Sequence, residues 1–244
     1  MSASKTYLQM INSVLSELRE SPVATANQTV YSTLIGKWIN DAKRQVEDAW
    51  DWQPLQLVVD ITLTPTTPPN PGTRDYDLTL LNPALNARAR IQENPFDRTR
   101  PMAFDITTGN PYNLVQVPVN WINQMRDKLP TPQFQTMPIN FGLIRYNNGT
   151  TDGILLRMWE SPTQARNWRF YFTNPQDDLV ADGDSVLVPW MPIVAIATDI
   201  ALNERGEELG EPGTTIDQRV RTHIVNAIGV DAQFQEYKSD FIPD

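Results

Sequence analysis

Apolar residues near the start of the chain recur every three or four positions, which is the spacing of a helix with one buried face. The first such stripe lies within residues 6–20 and consists of Tyr7, Leu8, Ile11, Val14, Leu15 and Leu18. A second helix is predicted to start near Thr25, which forms a capping-box pattern with Gln28, or near Asn27. Its apolar stripe runs from Val30 to Ala49, and Pro54 closes the segment. The pattern therefore predicts two amphipathic helices within residues 1–53.

Oppositely charged residues lie four positions apart along the polar side of the second helix. The pairs are Lys37 with Asp41, Lys43 with Glu47, and Arg44 with Asp48. Such pairs contribute about 0.3 kcal/mol each when both side chains are solvated. The spacing therefore predicts an exposed face on this helix, opposite the apolar stripe that contains Trp38.

Between residues 54 and 188 the period changes from that of a helix to that of a strand. Leu55–Leu63 alternates apolar and polar residues, which predicts a strand, and Val119–Leu129 fits a short helix. Further strands are predicted at Phe141–Tyr146, Ile154–Trp159, Trp168–Phe172 and Val186–Val188. Thirteen of the 20 prolines fall between Pro54 and Pro138, which excludes long helices there. Residues 54–188 are therefore predicted to form a β-rich domain.

Helical patterning returns over residues 189–209, where apolar residues occupy almost every side of the predicted helix. A helix of this kind is buried on most sides and needs several neighbours. A last helix is predicted over 215–236, followed by a C-terminal arm at 237–244. Neither helix pair has enough partners alone, so one four-helix bundle from 1–53 and 189–236 is the economical solution. The predicted fold class is α+β, with the Pro-rich β domain inserted into this bundle.

Composition excludes several classes of site. The chain has 244 residues, no Cys and one His, so it has no disulfide framework, no thiolate metal site and no multi-histidine metal site. No apolar run reaches the roughly 20 residues that span a bilayer, and no apolar core of a signal peptide follows the first residues. We therefore expect a soluble protein, made in a reducing compartment, that has no membrane contact.

The negative charge is concentrated near the C-terminus. The formal net charge is −9, and residues 175–244 contain fourteen acids and four bases, whereas the preceding residues are nearly balanced. An acidic total argues against a protein that grips nucleic-acid phosphates. Two interpretations stay open: a solvated acidic face, or a surface that meets a basic partner or must not stick to DNA passing close by.

Few residues are candidates for catalysis or metal binding, and we predict no catalytic residue, metal or cofactor. His223 lies at the edge of the last helix's apolar stripe and is typical of a structural histidine. Glu160 could pair with Asp152 or Asp178 as the two carboxylates of a glycosidase. Four aspartates close together in the sequence lack EF-hand spacing and are typical of a turn. They are Asp177, Asp178, Asp182 and Asp184.

Large aromatic residues indicate a chain that adheres to other subunits. The chain has seven Trp and only 11 Gly, so large side chains suited to contacts make up a high proportion of its residues. Trp159, Trp168 and Trp190 could alternatively stack on a sugar. The apolar residues Phe241–Pro243 beyond the last helix either fray or dock into a partner's groove as a peptide arm.

Three N-terminal segments carry a resemblance to a known family. They are Tyr7-Leu-Gln-Met-Ile-Asn-Ser-Val-Leu15, Leu34-Ile-Gly-Lys-Trp-Ile-Asn40 and Asp41-Ala-Lys-Arg-Gln-Val-Glu-Asp-Ala-Trp-Asp-Trp52. Together they resemble the N-terminus of the head-to-tail adaptor (connector) proteins of short-tailed bacteriophages. The resemblance covers about 50 residues, and the helix order at the C-terminus agrees with it.

The resemblance implies a ring of twelve copies beneath the portal protein, with the β-rich part facing the tail nozzle or tail tube protein. It implies that Trp38, Trp50 and Trp52 are bundle or inter-subunit anchors. It also implies a C-terminal arm that binds the portal, formed by Tyr237, Phe241, Ile242 and Pro243. We expect a monomer in isolation and a dodecamer on the portal.

These implications define an expected function. The chain would be a structural virion protein at the head–tail junction, made in the host cytoplasm and without enzymatic activity. Genomic DNA would pass through its channel during ejection without specific binding, and the acidic C-terminal segment could supply a wall that repels phosphates. Two alternatives stay open: a cell-wall (peptidoglycan) lytic tail protein, since some adaptor relatives have been linked to that cleavage, and a carbohydrate-binding β module.

Overall fold

The computed structural model describes most of the chain. The described residues are 4–64, 75–94, 97–108, 112–128, 139–147, 152–159, 164–206 and 216–239. They form a mixed α+β protein, as predicted, and the chain divides into two compact units. Met1–Leu55 and Pro175–Asp244 make the helical unit, and Gln56–Asn174 makes the β-rich unit.

Helices are numbered in chain order. They are α1 (Tyr7–Glu17), α2 (Val30–Ala49), α3 (Leu78–Leu81), α4 (Val119–Lys128), α5 (Trp190–Arg205) and α6 (Ile216–Ser239), with a short 3-10 turn at Gln53–Leu55. The strands are β1 (Gln56–Leu63), β2 (Asp75–Asp77), β3 (Arg90–Ile91), β4 (Glu93–Asn94), β5 (Asp97–Pro101), β6 (Ala103–Asp105), β7 (Tyr112–Asn113), β8 (Val115–Gln116), β9 (Asn140–Asn147), β10 (Asp152–Trp159) and β11 (Arg166–Thr173).

The helical unit is organised around α5, which packs against α1, α2 and α6. The seven residues of α5 from Pro192 to Thr198 are all buried, in agreement with the absence of a polar face in its sequence. Ile11 from α1 and Ile39 from α2 join them in one fully buried apolar cluster. Each such side chain stabilises the fold by about 1.5–3 kcal/mol relative to an exposed position, so this cluster holds α1, α2 and α5 together. From α6, the partly buried residues Val220, Ala227 and Ile228 pack against it.

The helix starts follow capping chemistry, but the start of α2 differs from the prediction. Thr6 and Gln9 form a capping box at α1. At α2 the capping box is formed by Thr29 and Ser32, four residues after Thr25. The Gln28 side chain instead accepts a hydrogen bond from the Ala24 amide at 2.6 Å, so the Thr25–Gln28 segment is a turn before the helix.

Residues 175–188, which we call the strap, correct the predicted boundary of the β-rich domain. The pattern places them in 54–188, but they belong to the helical unit. The strap is hydrogen-bonded to α1 and α2, and its contact with extended backbone is an isolated bridge between Ser185 and Thr6 rather than a strand at Val186–Val188. The physical reason is that helix side chains satisfy the strap's backbone groups, as described below.

The β-rich unit contains two larger sheets and one small one among its described residues. The strand order is β1–β11–β6–β7 in the first sheet, where β3 also pairs with β11, and β2–β10–β9–β8 in the second. The described pairings are antiparallel apart from β8 with β9. The alternation at Leu55–Leu63 becomes β1, which pairs with β11 over its whole length, from Gln56 opposite Thr173 to Leu63 opposite Arg166.

Aromatic side chains form the core of the β-rich unit. Trp168, Phe170 and Phe172 alternate along β11 and are fully buried on one face of the sheet, where Phe141 from β9 packs against them. The period of two along these strands therefore marks the buried face correctly.

The C-terminal end of the chain departs from the predicted boundaries. α5 ends at Arg205, and Gly206, whose φ is 66°, caps it in the left-handed conformation. α6 continues to Ser239, three residues beyond the predicted end, so Tyr237 belongs to the helix backbone and not to an extended arm. Phe241, Ile242 and Pro243 lie outside the described residues.

Candidate functional site: the strap and the surfaces of the helical unit

The centre of the helical unit's polar contacts is a fully buried ion pair on α2. Lys43 Nζ lies 3.0 Å from Glu47 Oε1, and both side chains have 0% exposure. Lys43 also donates to the backbone carbonyl of Gln176 at 2.7 Å, and the backbone amide of Gln176 donates to Glu47 Oε1 at 3.1 Å. The prediction of a solvated Lys43–Glu47 pair is therefore wrong, because the strap covers this side of α2.

Two further side chains of α2 bind the strap just after Gln176. Asn40 makes two hydrogen bonds to the backbone of Leu179, accepting from its amide at 2.9 Å and donating to its carbonyl at 3.0 Å. Arg44 binds Asp178 with two nitrogen atoms, at 3.2 and 2.6 Å. One face of α2 thus binds the strap from Gln176 to Leu179.

The strap also caps the N-terminus of α1. The amides of Tyr7 and Leu8, which have no partner within the helix, donate to the carbonyls of Asp184 and Asp182 at 2.8 and 3.2 Å. The Asp182 carboxylate accepts from the Ala26 amide at 2.8 Å. The strap therefore connects the start of α1, the α1–α2 loop and the middle of α2.

The aspartates of the strap have structural partners. Asp184 accepts hydrogen bonds from the amides of Val180 and Ala181, which lower the pKa of its carboxyl group. Asp178 binds Arg44 and Asp182 accepts from the Ala26 amide. Three of the four aspartates that were predicted to form a turn therefore have structural partners. Within the described ranges, no three acidic or histidine side chains come together in a group that could hold a metal ion.

A glycine on α2 allows α1 to approach closely. A Cβ added at Gly36 would overlap the hydroxyl of Tyr7, which packs directly on the α2 backbone. Burial raises the pKa of Tyr7, and the nearby carboxylates of Asp178 and Asp182 act in the same direction. The strap, α1 and α2 therefore meet around a neutral tyrosine.

The three tryptophans expected to be anchors occupy different environments. Trp52 is 1% exposed and donates through Nε1 to the Val46 carbonyl at 2.7 Å, which satisfies an end group of α2. Trp50 is half-buried and donates to Asp231 on α6 at 3.1 Å. Trp38 is half-buried and packs edge-on against Tyr31. Trp50 and Trp52 thus have contacts inside the helical unit, and Trp38 keeps part of its ring on the surface.

Arginine side chains fasten one end of the helical unit. Arg205 at the end of α5 donates to the Tyr31 hydroxyl at 2.8 Å and to Glu20 at 2.9 Å. Arg219 on α6 pairs with Glu17 on α1 at 3.0 Å. These contacts tie the first turns of α2 and α6 to the last turns of α1 and α5.

An open groove of about 790 Å³ follows the polar side of α1 and ends at Trp190. Lys5 Nζ lies 3.8 Å above the Trp190 ring and donates to Ser13 Oγ at 2.8 Å. The ammonium group therefore covers one face of the ring that a sugar would need for stacking.

The remaining candidates for sugar stacking and catalysis lie in different environments. Trp168 is fully buried in the β-rich core, which makes it unavailable to a sugar, and Trp159 is nearly so. Asp152 accepts a hydrogen bond from Asn147 at 2.5 Å, and Glu160 lies outside the described residues. His223 is half-buried on α6.

A buried carboxylate organises the first sheet of the β-rich unit. Asp105 accepts hydrogen bonds from the Thr107 amide at 2.9 Å, the Tyr112 hydroxyl at 2.7 Å and Trp168 Nε1 at 3.2 Å. Burial alone would raise the pKa of Asp105. The hydrogen bonds from Thr107 and Tyr112 and the charge of Arg166 outweigh burial, so the pKa lies below its ordinary value.

The lowered pKa of Asp105 predicts a pH dependence of stability. Its stabilising contribution is complete above the unfolded-state pKa of about 3.9 and is lost as the pH falls through the lower folded-state value. We expect Asp105→Asn to reduce the urea midpoint at pH 7, and we expect its difference from the wild type to shrink towards pH 3. A difference that stays constant over this range would contradict the assignment.

Comparison with known proteins adds no family to this picture. No protein-family model matches the chain, and no curated protein sequence matches it. Among the described residues, no helix has the length and apolar character needed to cross a membrane.

Proposed function

We propose that this chain is a head-to-tail adaptor of a short-tailed bacteriophage, a structural virion protein that forms a ring between the portal and the tail nozzle and lines the DNA channel. The observation that carries the proposal is that Met1–Leu55 and Pro175–Asp244 contribute to one compact helical unit. In this proposal α1, α2, α5 and α6 are a four-helix bundle, and the β-rich unit is an insertion that faces the tail.

The resemblance of residues 4–52 to the adaptor family supports the proposal from an independent direction. The segments that carry it include Asp41–Trp52, which contains Lys43, Arg44 and Glu47, the residues that bind the strap. An adaptor must keep both chain ends at the portal side while a second part reaches the tail. A strap fixed by helix side chains meets this need, since it holds the chain where it returns from the β-rich unit.

The charge distribution suits a conduit for DNA. A channel wall that repels phosphates lets the duplex slide, and the segment 175–244 holds fourteen of the 29 acids. In this proposal the protein has no enzymatic role, binds no cofactor, and holds the genomic DNA only by surrounding it. The chain is made in the host cytoplasm and ends in the virion at the head–tail junction.

The portal-binding arm yields a direct test of the proposal. We expect deletion of residues 240–244 to weaken attachment to the portal protein of the same virus at least about tenfold, or ~1.4 kcal/mol. The deletion removes Phe241, Ile242 and Pro243 but spares α6, which runs to Ser239. Co-sedimentation with purified portal rings measures the effect.

One further deletion and one double substitution serve as controls for this test. Deletion of 237–244, which also removes Tyr237, should have at least as large an effect, and serine at Phe241 and Ile242 should reproduce it without shortening the chain. Undiminished attachment of the 240–244 deletion, with unchanged thermal unfolding, would show that the tail is not the portal-binding arm.

A further inference from the structure

The outward side of α6 differs in charge from the rest of the C-terminal segment. Its exposed residues over the described stretch 218–233 include Arg221, Thr222, Val225, Asn226, Gly229 and Val230. The one acid in this stretch, Asp231, is half-buried and bonded to Trp50. The exposed positions of residues 218–233 therefore include no acid, although residues 175–244 hold fourteen.

The same face is apolar where it is most exposed. Val225 is 65% exposed and Val230 is 50% exposed. Over residues 218–233 no side chain of α6 is buried, and the inner residues Val220 and Ile228 are only partly covered by the core of the helical unit. α6 is therefore incompletely packed within one copy of the chain.

Gly229 has no role in the packing of the isolated chain. Apart from its chain neighbours and its own helix backbone, a Cβ added at this position would meet no atom of the described residues within 4 Å. Glycine in the interior of a helix is destabilising relative to alanine, because it loses more backbone freedom on folding. A glycine that costs stability and is not required by any neighbour in its own chain fits a surface on which another backbone approaches closely.

The strap presents a surface of complementary character. Val180 is 73% exposed, and the acids Asp177 and Asp178 beside it are also exposed, Asp178 in its ion pair with Arg44. The strap thus combines an apolar side chain with acids, whereas the outward face of α6 combines apolar side chains with Arg221. The strap is bonded to α1 and α2, whereas α6 packs on α5 and is joined to Glu17 through Arg219 and to Trp50 through Asp231.

We propose that the outward face of α6 in one copy packs against the strap of the next copy around Val180. This inference rests on the proposed ring and specifies its subunit interface. A ring requires two different surfaces that meet head to tail, and these two surfaces supply them. A contact between the α6 helices of two copies would instead bring their Arg221 side chains close together. Outside the two proposed surfaces, two chains that each have a net charge of −9 repel each other.

Cysteine cross-linking tests the contact without background, because the chain has no Cys. A Val225→Cys chain is mixed with an isotopically labelled Val180→Cys chain at high concentration and treated with a short bis-maleimide. We expect cross-linked pairs that join the two variants, identified by mass. Gln45→Cys on the exposed side of α2 replaces Val180→Cys as the control and should give at least about tenfold fewer pairs.

Substitutions on the face of α6 provide a second readout. Gly229→Gln and Arg221→Glu should each lower the yield of cross-linked pairs about tenfold, whereas Ala49→Gln, at the exposed end of α2, should leave it unchanged. Gly229→Ala should lower the yield while it raises the Tm of the chain by about 2–4 °C. Opposite effects on folding and on association distinguish an interface from a merely structural position.

Two results would overturn the inference. One is self-cross-linking of Val225→Cys in preference to the mixed pair, which would show a two-fold contact of α6. The other is a yield no higher than that of the Gln45→Cys control. If imaging then shows a ring on the portal, the proposed function stands with a different interface. If imaging shows no ring, the proposed function fails as well.

Discussion

Glu47→Gln is expected to lower the free energy of unfolding of the helical unit by about 3–5 kcal/mol. The substitution keeps the size of the side chain but leaves the Lys43 ammonium buried without its counter-charge, 3.0 Å from the former carboxylate oxygen. An uncompensated buried charge costs much more than the net value of the pair that contained it. Urea unfolding at pH 7, followed by tryptophan fluorescence and circular dichroism, measures the change.

Two controls separate burial of the pair from loss of charge alone. Replacing both partners, as Lys43→Met with Glu47→Leu, should recover much of the stability, although the backbone groups of Gln176 lose their partners. Asp41→Asn removes an exposed i, i+3 partner of Arg44, at 3.8 Å, and should cost at most about 0.5 kcal/mol. Equal effects of Glu47→Gln and Asp41→Asn would mean that the strap does not cover α2.

Trp52→Ala is expected to cost about 3–5 kcal/mol of stability in the isolated chain. The side chain is 1% exposed, packs in the core of the helical unit and donates to the Val46 carbonyl. Truncation leaves a cavity and removes the donor that satisfies the end of α2. Equilibrium unfolding in urea gives the value.

Trp38→Ala is the matched comparison for Trp52→Ala. Trp38 is half-buried, so its truncation should cost clearly less in the isolated chain. A larger loss of stability for Trp38→Ala than for Trp52→Ala would reverse the roles assigned to the two tryptophans. In that case Trp38 would be the anchor of the bundle.

Helices with a long buried stripe could be predicted from the sequence because the signal is local. Ile11, Ile39 and Ile193 recur at helical spacing with their neighbours, and all are fully buried. Strands of eight residues, such as β1 and β11, were predictable for the same reason, since their alternation repeats several times. Strands of two or three residues, such as β3 and β7, are too short to establish a period.

The strap could not be predicted from its own residues. Its Asp, Gln, Gly and Ser residues are typical of a solvated loop, and its bonds reach residues more than 100 positions away in sequence. A signal was nevertheless present on α2, where Asn40, Lys43 and Glu47 share one face at helical spacing. A face that combines an amide with both signs of charge can bind a backbone as readily as it binds water.

The sequence could not determine how deeply individual candidate residues are buried either. Trp38 lies in the apolar stripe of α2 and Trp52 lies just beyond the end of this helix, but Trp38 is half-buried and Trp52 is almost fully buried. Periodicity gives the direction of a side chain and not the number of neighbours that cover it. The roles of these residues therefore depend on tertiary packing.

Electron microscopy of the full chain bound to the portal protein of the same virus tests the adaptor proposal most directly. We predict a closed ring of twelve copies on the portal, with helices at the portal side and a central channel wide enough for duplex DNA. Single copies scattered on the portal, a two-fold dimer, or no attachment at all would contradict the proposal.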